Sequence, residues 1–165
     1  MLRALDVGLL RLLRTRGHAP PVERAVIMLA RSGEHGLLWH AMAAAGLLLD
    51  GPRRPVYRRV SLSVLATMAA NTSVKLLIRR ARPLLEEMPA LTPTSFGRSY
   101  PSAHASTSFA AARVLSEALP PPPLYVVAAA MALSRPYLGV HYPSDIAAGA
   151  LLGDAVARLA TPSAR

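Results

Sequence analysis

No cysteine occurs in the 165 residues, which excludes disulfides, thiolate metal ligands and thiol catalysis together. Aromatic residues are scarce at 5%, so the 52% hydrophobic content is carried mostly by Ala, Leu and Val. Charged residues reach only 17%. Much apolar and little charged content points to a membrane helix bundle rather than a soluble domain. Strand-like alternation and internal repeats are both missing, so the expected fold class is all-α, in one domain over residues 1–165. No carboxylate cluster shows metal-ligand spacing. Lysine is nearly absent too: eighteen arginines stand against Lys75 alone. A chain that uses Arg almost everywhere and keeps one Lys signals a position needing a compact ammonium rather than a planar guanidinium.

What is abundant is positive charge, +10 net. Basic patches interleaved with aromatics and nucleic-acid recognition motifs are absent, so nucleic acid is not the expected partner. Anionic lipid head groups and a phosphate-bearing substrate account for the charge instead. Residues 1–16 place Leu2, Leu5, Leu9, Leu12 and Leu13 on one helical face, with Arg3, Asp6, Arg11 and Arg14 broadly opposite. This predicts an interfacial helix with its apolar face in the bilayer, and residues 1–33 are expected to form an interfacial region. The catalytic membrane core is expected over 34–161. About five spanning helices are predicted, at 36–49, 60–74 (continued toward the membrane surface to 78), 104–119, 124–134 and 146–160, with a firm break at prolines 120–123. Residues 84–100, rich in turn formers, read as a loop placed to lie over a site.

Three clusters carry chemistry. Lys75 and Arg82 stand seven apart, two helical turns, so both project from one face toward a common point. In Pro101–Ser102–Ala103–His104, Ser102 caps a helix whose free N–H groups favour an anion, and His104 is placed to protonate a leaving alkoxide. Residues 134–145 bring Arg135, with a fork suited to two phosphate oxygens, and then His141 and Asp145 four residues apart. The carboxylate can fix one imidazole nitrogen and leave the other free to attack phosphorus. Each cluster alone is weak: a juxtamembrane basic run, a chance histidine near a cap, and a common His–Asp pair explain them equally well.

Together, in this order and at these internal spacings, they resemble the type 2 phosphatidic acid phosphatase family over about residues 36–160. The one departure is Ala103, where the family usually has Gly, which adds a methyl beside the phosphate. The resemblance implies a membrane lipid phosphatase working without metal in two steps. His141 would be the nucleophile that forms a phosphohistidine, oriented by Asp145. His104 would act as acid and then base, while Lys75, Arg82, Ser102, Ala103 and Arg135 hold the phosphate. Soluble acid phosphatases and vanadium-dependent haloperoxidases share the anion site, but they leave the small-residue apolar helices unexplained. A non-catalytic membrane scaffold leaves Ser102, both histidines and Asp145 unexplained.

The helix order puts the N-terminus, the long loop and the His141 turn on one side. Counting Lys and Arg gives twelve there and six opposite, Arg165 among the six, or nine to six without Lys75, Arg82 and Arg135. That bias predicts a multi-pass protein of the cell membrane with a cytoplasmic site. Together with the short, Arg- and Ala-rich chain, it resembles the actinobacterial branch that dephosphorylates decaprenylphosphoryl-5-phosphoribose in making cell-wall arabinan. Undecaprenyl or decaprenyl diphosphate is the alternative substrate, and phosphatidic acid or phosphatidylglycerol phosphate stands behind it.

Overall fold

Prolines open helices in this chain rather than end them. A proline in the first turn forgoes an N–H that has no helical partner anyway, and four α-helices use one there. A computed structural model describes residues 2–94 and 97–160. Among the described residues it has seven α-helices: α1 (Leu2–Thr15), α2 (Pro20–Ser32), α3 (Leu37–Leu49), α4 (Arg54–Ile78), α5 (Ala103–Leu115), α6 (Pro121–Tyr137) and α7 (Pro143–Ala160). The run expected to break the chain at 120–123 therefore supplies the first turn of α6 instead. The last residue of the expected core, 161, and Arg165 lie outside the described residues.

The centre of the bundle is α5, flanked by α4, α6 and α7. Nine of its thirteen residues are buried although it is rich in Ala, Ser and Thr, and its neighbours supply polar partners. Trp39 of α3 donates from Nε1 to Ser108 Oγ at 3.0 Å, and Asn71 of α4 donates to Ser106 Oγ at 2.9 Å. Small side chains let the helices approach closely, as in lipid-embedded bundles. The outward faces are apolar: Leu49 and Leu77 are 87% and 80% exposed, with Leu62, Val126 and Leu151 exposed beside them. Of the described helices, one stretch, Gly51–Ile78, is long and apolar enough to cross a membrane. The 13-residue α3 and α5 span only about 20 Å each.

The N-terminal helix differs from a simple stripe. Asp6, Leu10 and Arg14, one turn apart, face the protein and are buried, whereas Leu5, Leu9 and Leu12 are about half exposed. Arg14 donates to Pro89 O at 2.8 Å and Tyr137 O at 3.2 Å, and His18 stacks on Tyr137 with ring centroids 4.1 Å apart. Two of the expected outward charges thus anchor α1, while Leu5, Leu9 and Leu12 keep about half their surface exposed. The termini of α3 to α7 fall into two groups. One end is closed by Asp50, Tyr57, Arg59 and Glu117, the last two ion-paired. At the other meet the turn after α2, the loop after α4, the start of α5 and the turn from α6 to α7, with α1 beside them.

Candidate active site

At that second end lies a cavity of about 180 Å³ whose lining includes Lys75, Arg82, Ala103, His104, Arg135 and His141. Six of the eight predicted site residues therefore share one chamber, lined also by Pro93 and Thr94 of the long loop. The other two stand behind it: Ser102 caps α5, its Oγ accepting from Ala105 N–H at 3.4 Å, and Asp145 backs His141.

The two cations of the first cluster arrive by different routes. Lys75 lies in the last turn of α4, but the helix stops at Ile78 and Arg79 turns left-handed at φ 53°. Arg82 is thus presented by the loop, not by the same helical face as predicted. Lys75 Nζ donates to three main-chain carbonyls, Pro101 O at 2.6 Å and Ser99 O and Arg98 O at 3.3 Å. A compact ammonium with three donors suits that cage, where a planar fork would not. Lys75 consequently ties the strand leading into α5 as well as edging the cavity. Arg135, on the last turn of α6, is buried and its Nε has no hydrogen-bond partner. A buried guanidinium left unsatisfied against a cavity is costly unless an anion enters.

Hydrogen-bond direction fixes both imidazoles. His141 Nδ1 lies 3.3 Å from Asp145 Oδ2, which can only accept, while its Nε2 lies 3.2 Å from an Arg82 N–H, which can only donate. Nδ1 therefore carries the hydrogen and Nε2 the lone pair, the arrangement a nitrogen nucleophile requires. Burial outweighs the opposing hydrogen bond with Asp145 and brings the His141 pKa down to about 3. His104 Nε2 stands 2.9 Å from Ala30 O, so that nitrogen is protonated and Nδ1 is the one left to exchange a proton. This contact needs Gly33: a Cβ there would lie 2.8 Å from His104 Cδ2 and 2.3 Å from Met131 Sδ.

Several participants have no counterpart in the sequence reading. Arg80 donates to Asp145 Oδ1 at 2.8 Å, to Ser144 Oγ at 2.7 Å and, with its other amino group, to Asp6 Oδ2 at 2.8 Å, and it lies 4.1 Å over the Tyr142 ring. Burial alone would raise the Asp6 carboxyl, but bonds from Arg80 and Ser144 overcome it and hold it below the usual carboxylate range. The available signal was modest: Asp6 is the one acid among the first twenty-two residues of a basic segment. The turn after α2 adds Glu34 and His35 to the cavity wall.

A family model described as the PAP2 superfamily matches residues 57–164. The chain belongs to the PAP2 superfamily. Within it, the chain is 36% identical over 130 residues to a decaprenylphosphoryl-5-phosphoribose phosphatase of Mycolicibacterium smegmatis, covering 79% of this chain and 72% of that protein. It is 37% identical over 128 residues to the protein of the same description from Mycobacterium tuberculosis, covering 78% and 72%. Among solved structures, LpxE of Aquifex aeolicus superposes with a TM-score of 0.83 at 26% identity, covering 94% of each chain. A transmembrane PAP2 type phosphatidylglycerolphosphate phosphatase from Bacillus subtilis gives 0.76 at 21% identity, covering 96% of this chain and 84% of that one. This PAP2 chain is accordingly a phosphoric monoester hydrolase, and its all-α fold is that of the membrane phosphatases of the superfamily.

Proposed function

We propose that this PAP2 protein hydrolyses the terminal phosphomonoester of a polyprenyl-phosphoryl pentose phosphate, with decaprenylphosphoryl-5-phosphoribose as its substrate. The observation that carries the chemistry is the unprotonated Nε2 of His141 facing a cavity edged by Lys75, Arg82 and Arg135. Nε2 attacks phosphorus as the ester P–O bond breaks; His104 takes up a proton at Nδ1 when the phosphate dianion binds beside it, and delivers that proton to the departing sugar oxygen. Asp145 stabilises the imidazole as it gains positive charge. The three cations hold the equatorial oxygens, where charge accumulates in transfer. His104, now neutral, takes a proton from water that attacks the phosphohistidine, releasing inorganic phosphate and restoring His141. The names and identities of the mycobacterial relatives support the choice of lipid.

The protein is read as multi-pass, with α3 to α7 crossing the membrane and the half-exposed leucines of α1 lying in the interface. Exposed leucines on α3, α4 and α7 support this, because apolar surface of this kind suits contact with lipid. The arginine balance supports a cytoplasmic site. A tag at the N-terminus is expected to be accessible only after the membrane is permeabilised and one at the C-terminus, five crossings on, in intact cells; an outward N-terminus would reverse the orientation.

The test is phosphate release by the detergent-purified chain, with EDTA present, from polyprenyl-phosphoryl pentose phosphate, polyprenyl diphosphate, phosphatidic acid and phosphatidylglycerol phosphate. Release that survives EDTA and favours the pentose phosphate is the expected result. Preference for a diphosphate or glycerolipid would reassign the substrate, and no release from folded protein would overturn the reading.

A further inference from the structure

His141 and Asp145 do not stand alone behind the cavity. Asp145 Oδ2 accepts from His141 Nδ1–H and from Tyr142 N–H at 2.9 Å, while Oδ1 accepts from Arg80. With both oxygens engaged, the carboxylate cannot rotate away from the imidazole. Arg80 is fixed in turn from its other side by Asp6, which also accepts from Ser144 N–H at 2.9 Å and Ser144 Oγ–H at 2.5 Å. The result is an unbroken alternation of carboxylate, guanidinium, carboxylate and imidazole, running from the N-terminal helix to the nucleophile.

We propose that Asp6 and Arg80 are positioning residues for catalysis, acting on His141 through Asp145. The proposal rests on reading His141 as the nucleophile. Neither residue lines the catalytic cavity. Both border a separate cleft of about 670 Å³ shared with Arg3, Tyr100, Tyr142 and Ser144. Substrate therefore does not touch them, and their contribution falls on turnover rather than on binding. Asp6 has a second role in the same chain. It balances the charge of Arg80, which would otherwise draw the Asp145 carboxylate toward itself and weaken its hold on Nδ1–H. Because Asp6 sits on α1, beside the half-exposed Leu5 and Leu9, the seating of α1 also sets the geometry of the nucleophile. A helix tied to the bundle only for stability would need neither the fork of Arg80 nor its second carboxylate.

The test uses the full chain in detergent, with Asp6→Asn, Arg80→Gln, the double variant, Asp6→Glu, and Asp154→Asn as a control at a remote ion pair. Two readouts are taken: kcat and KM for phosphate release, and the 15N shifts of His141, which report which ring nitrogen carries hydrogen. Asp6→Asn and Arg80→Gln are each expected to lower kcat by about 10- to 100-fold, the range typical of groups that orient a ligand or catalytic imidazole from behind, with KM near wild type. Their effects should not add in the double variant, and Asp6→Glu should recover part of the loss. The 15N shifts should move from one tautomer toward a mixture. Wild-type kcat and wild-type His141 shifts in both folded single variants would overturn the proposal, as would a rise in KM alone. If wild-type protein releases phosphate from no lipid, the functional reading fails, while the tautomer shifts still decide the relay. Should Arg80→Gln not fold, the isosteric Asp6→Asn carries the test.

Discussion

Alanine at His141 is expected to take phosphate release to background, a loss on the order of a million-fold by analogy with removal of other nucleophiles. The side chain is 3% exposed, and its unprotonated Nε2 faces the cavity beside the Arg82 guanidinium. Water could still be bound and polarised there, but without the covalent step the phosphate ester must be displaced directly, in a chamber built to hold a nitrogen. Wild-type protein quenched during turnover should carry a phosphoryl group stable to base and labile to acid, and the alanine variant should carry none. Substantial turnover by a folded His141→Ala protein would remove His141 from this role. Asp145→Asn is expected to cost less, about ten-thousand-fold. The amide leaves the cavity lining in place, but its NH2 replaces one of the oxygens that accept from His141, Tyr142 N–H and Arg80, and so disturbs the tautomer that presents Nε2.

The same burial sets a pH dependence whose sign can be worked out. His141 has a pKa of about 3 in the folded chain, against about 6.5 when unfolded. Between these values the unfolded chain binds a proton that the folded one refuses. Stability is therefore full above about pH 6.5 and is lost as pH falls toward 3. Asp6, whose carboxyl is also held low, adds a loss in the same direction at the acid end. The nucleophile itself stays unprotonated throughout the neutral range, so an NMR titration should find the His141 ring nitrogens unchanged from pH 8 to pH 5. A midpoint near the ordinary histidine value would contradict the packing around the ring.

How much of this was legible in the sequence depends on whether the information is local. Helices α3 to α7 are local: their apolar content and the turn residues between them marked them, with boundaries displaced by a few residues. The prolines at 120–123 misled because a proline forbids the interior of a helix but favours its first turn, and only the fold shows which applies. The site residues were legible as a set because His141 and Asp145 lie one helical turn apart, and because three weak clusters gain force only in combination. Lys75 was singled out as a position needing a compact ammonium, but its cage of three carbonyls depends on the path of residues 98–101, which no spacing rule encodes. Arg80 was passed over as one more arginine in a basic run. Its partner Asp6 is seventy-four positions away, so nothing short of the packed bundle pairs them. The Ala30 carbonyl that fixes His104 is hidden for the same reason: any residue supplies a carbonyl.

Addition of one methyl group at Gly153 should damage both stability and catalysis. An alanine Cβ there would lie 2.0 Å from Ser106 O and 3.1 Å from Ala110 N, both main-chain atoms of α5. A side chain in the way could change rotamer, but a central helix held by α4, α6 and α7 cannot yield locally, so α7 must move. Overpacking of this kind costs about 3 kcal/mol or more, which for a chain of this size lowers Tm by roughly 6–12 °C. One turn earlier, a Cβ at Gly149 would meet Ser102 O at 2.6 Å, so the displacement propagates toward the site. There Ser102 N–H donates to Asp145 O at 3.0 Å, and shifting α7 pulls Asp145 and His141 away from the capped start of α5 and from His104. Turnover should thus fall in Gly153→Ala even below its melting transition. Gly8→Ala is the matched comparison: its Cβ would meet nothing within 4 Å on α1, and replacing a helical glycine there should raise stability by about 0.5–1 kcal/mol. Thermal melts of the two variants beside wild type, with phosphate release measured well below each transition, separate the outcomes. A Gly153→Ala protein as stable and active as wild type would mean that α5 and α7 do not meet backbone to backbone, and that the distance between the two histidines is set by the loops alone.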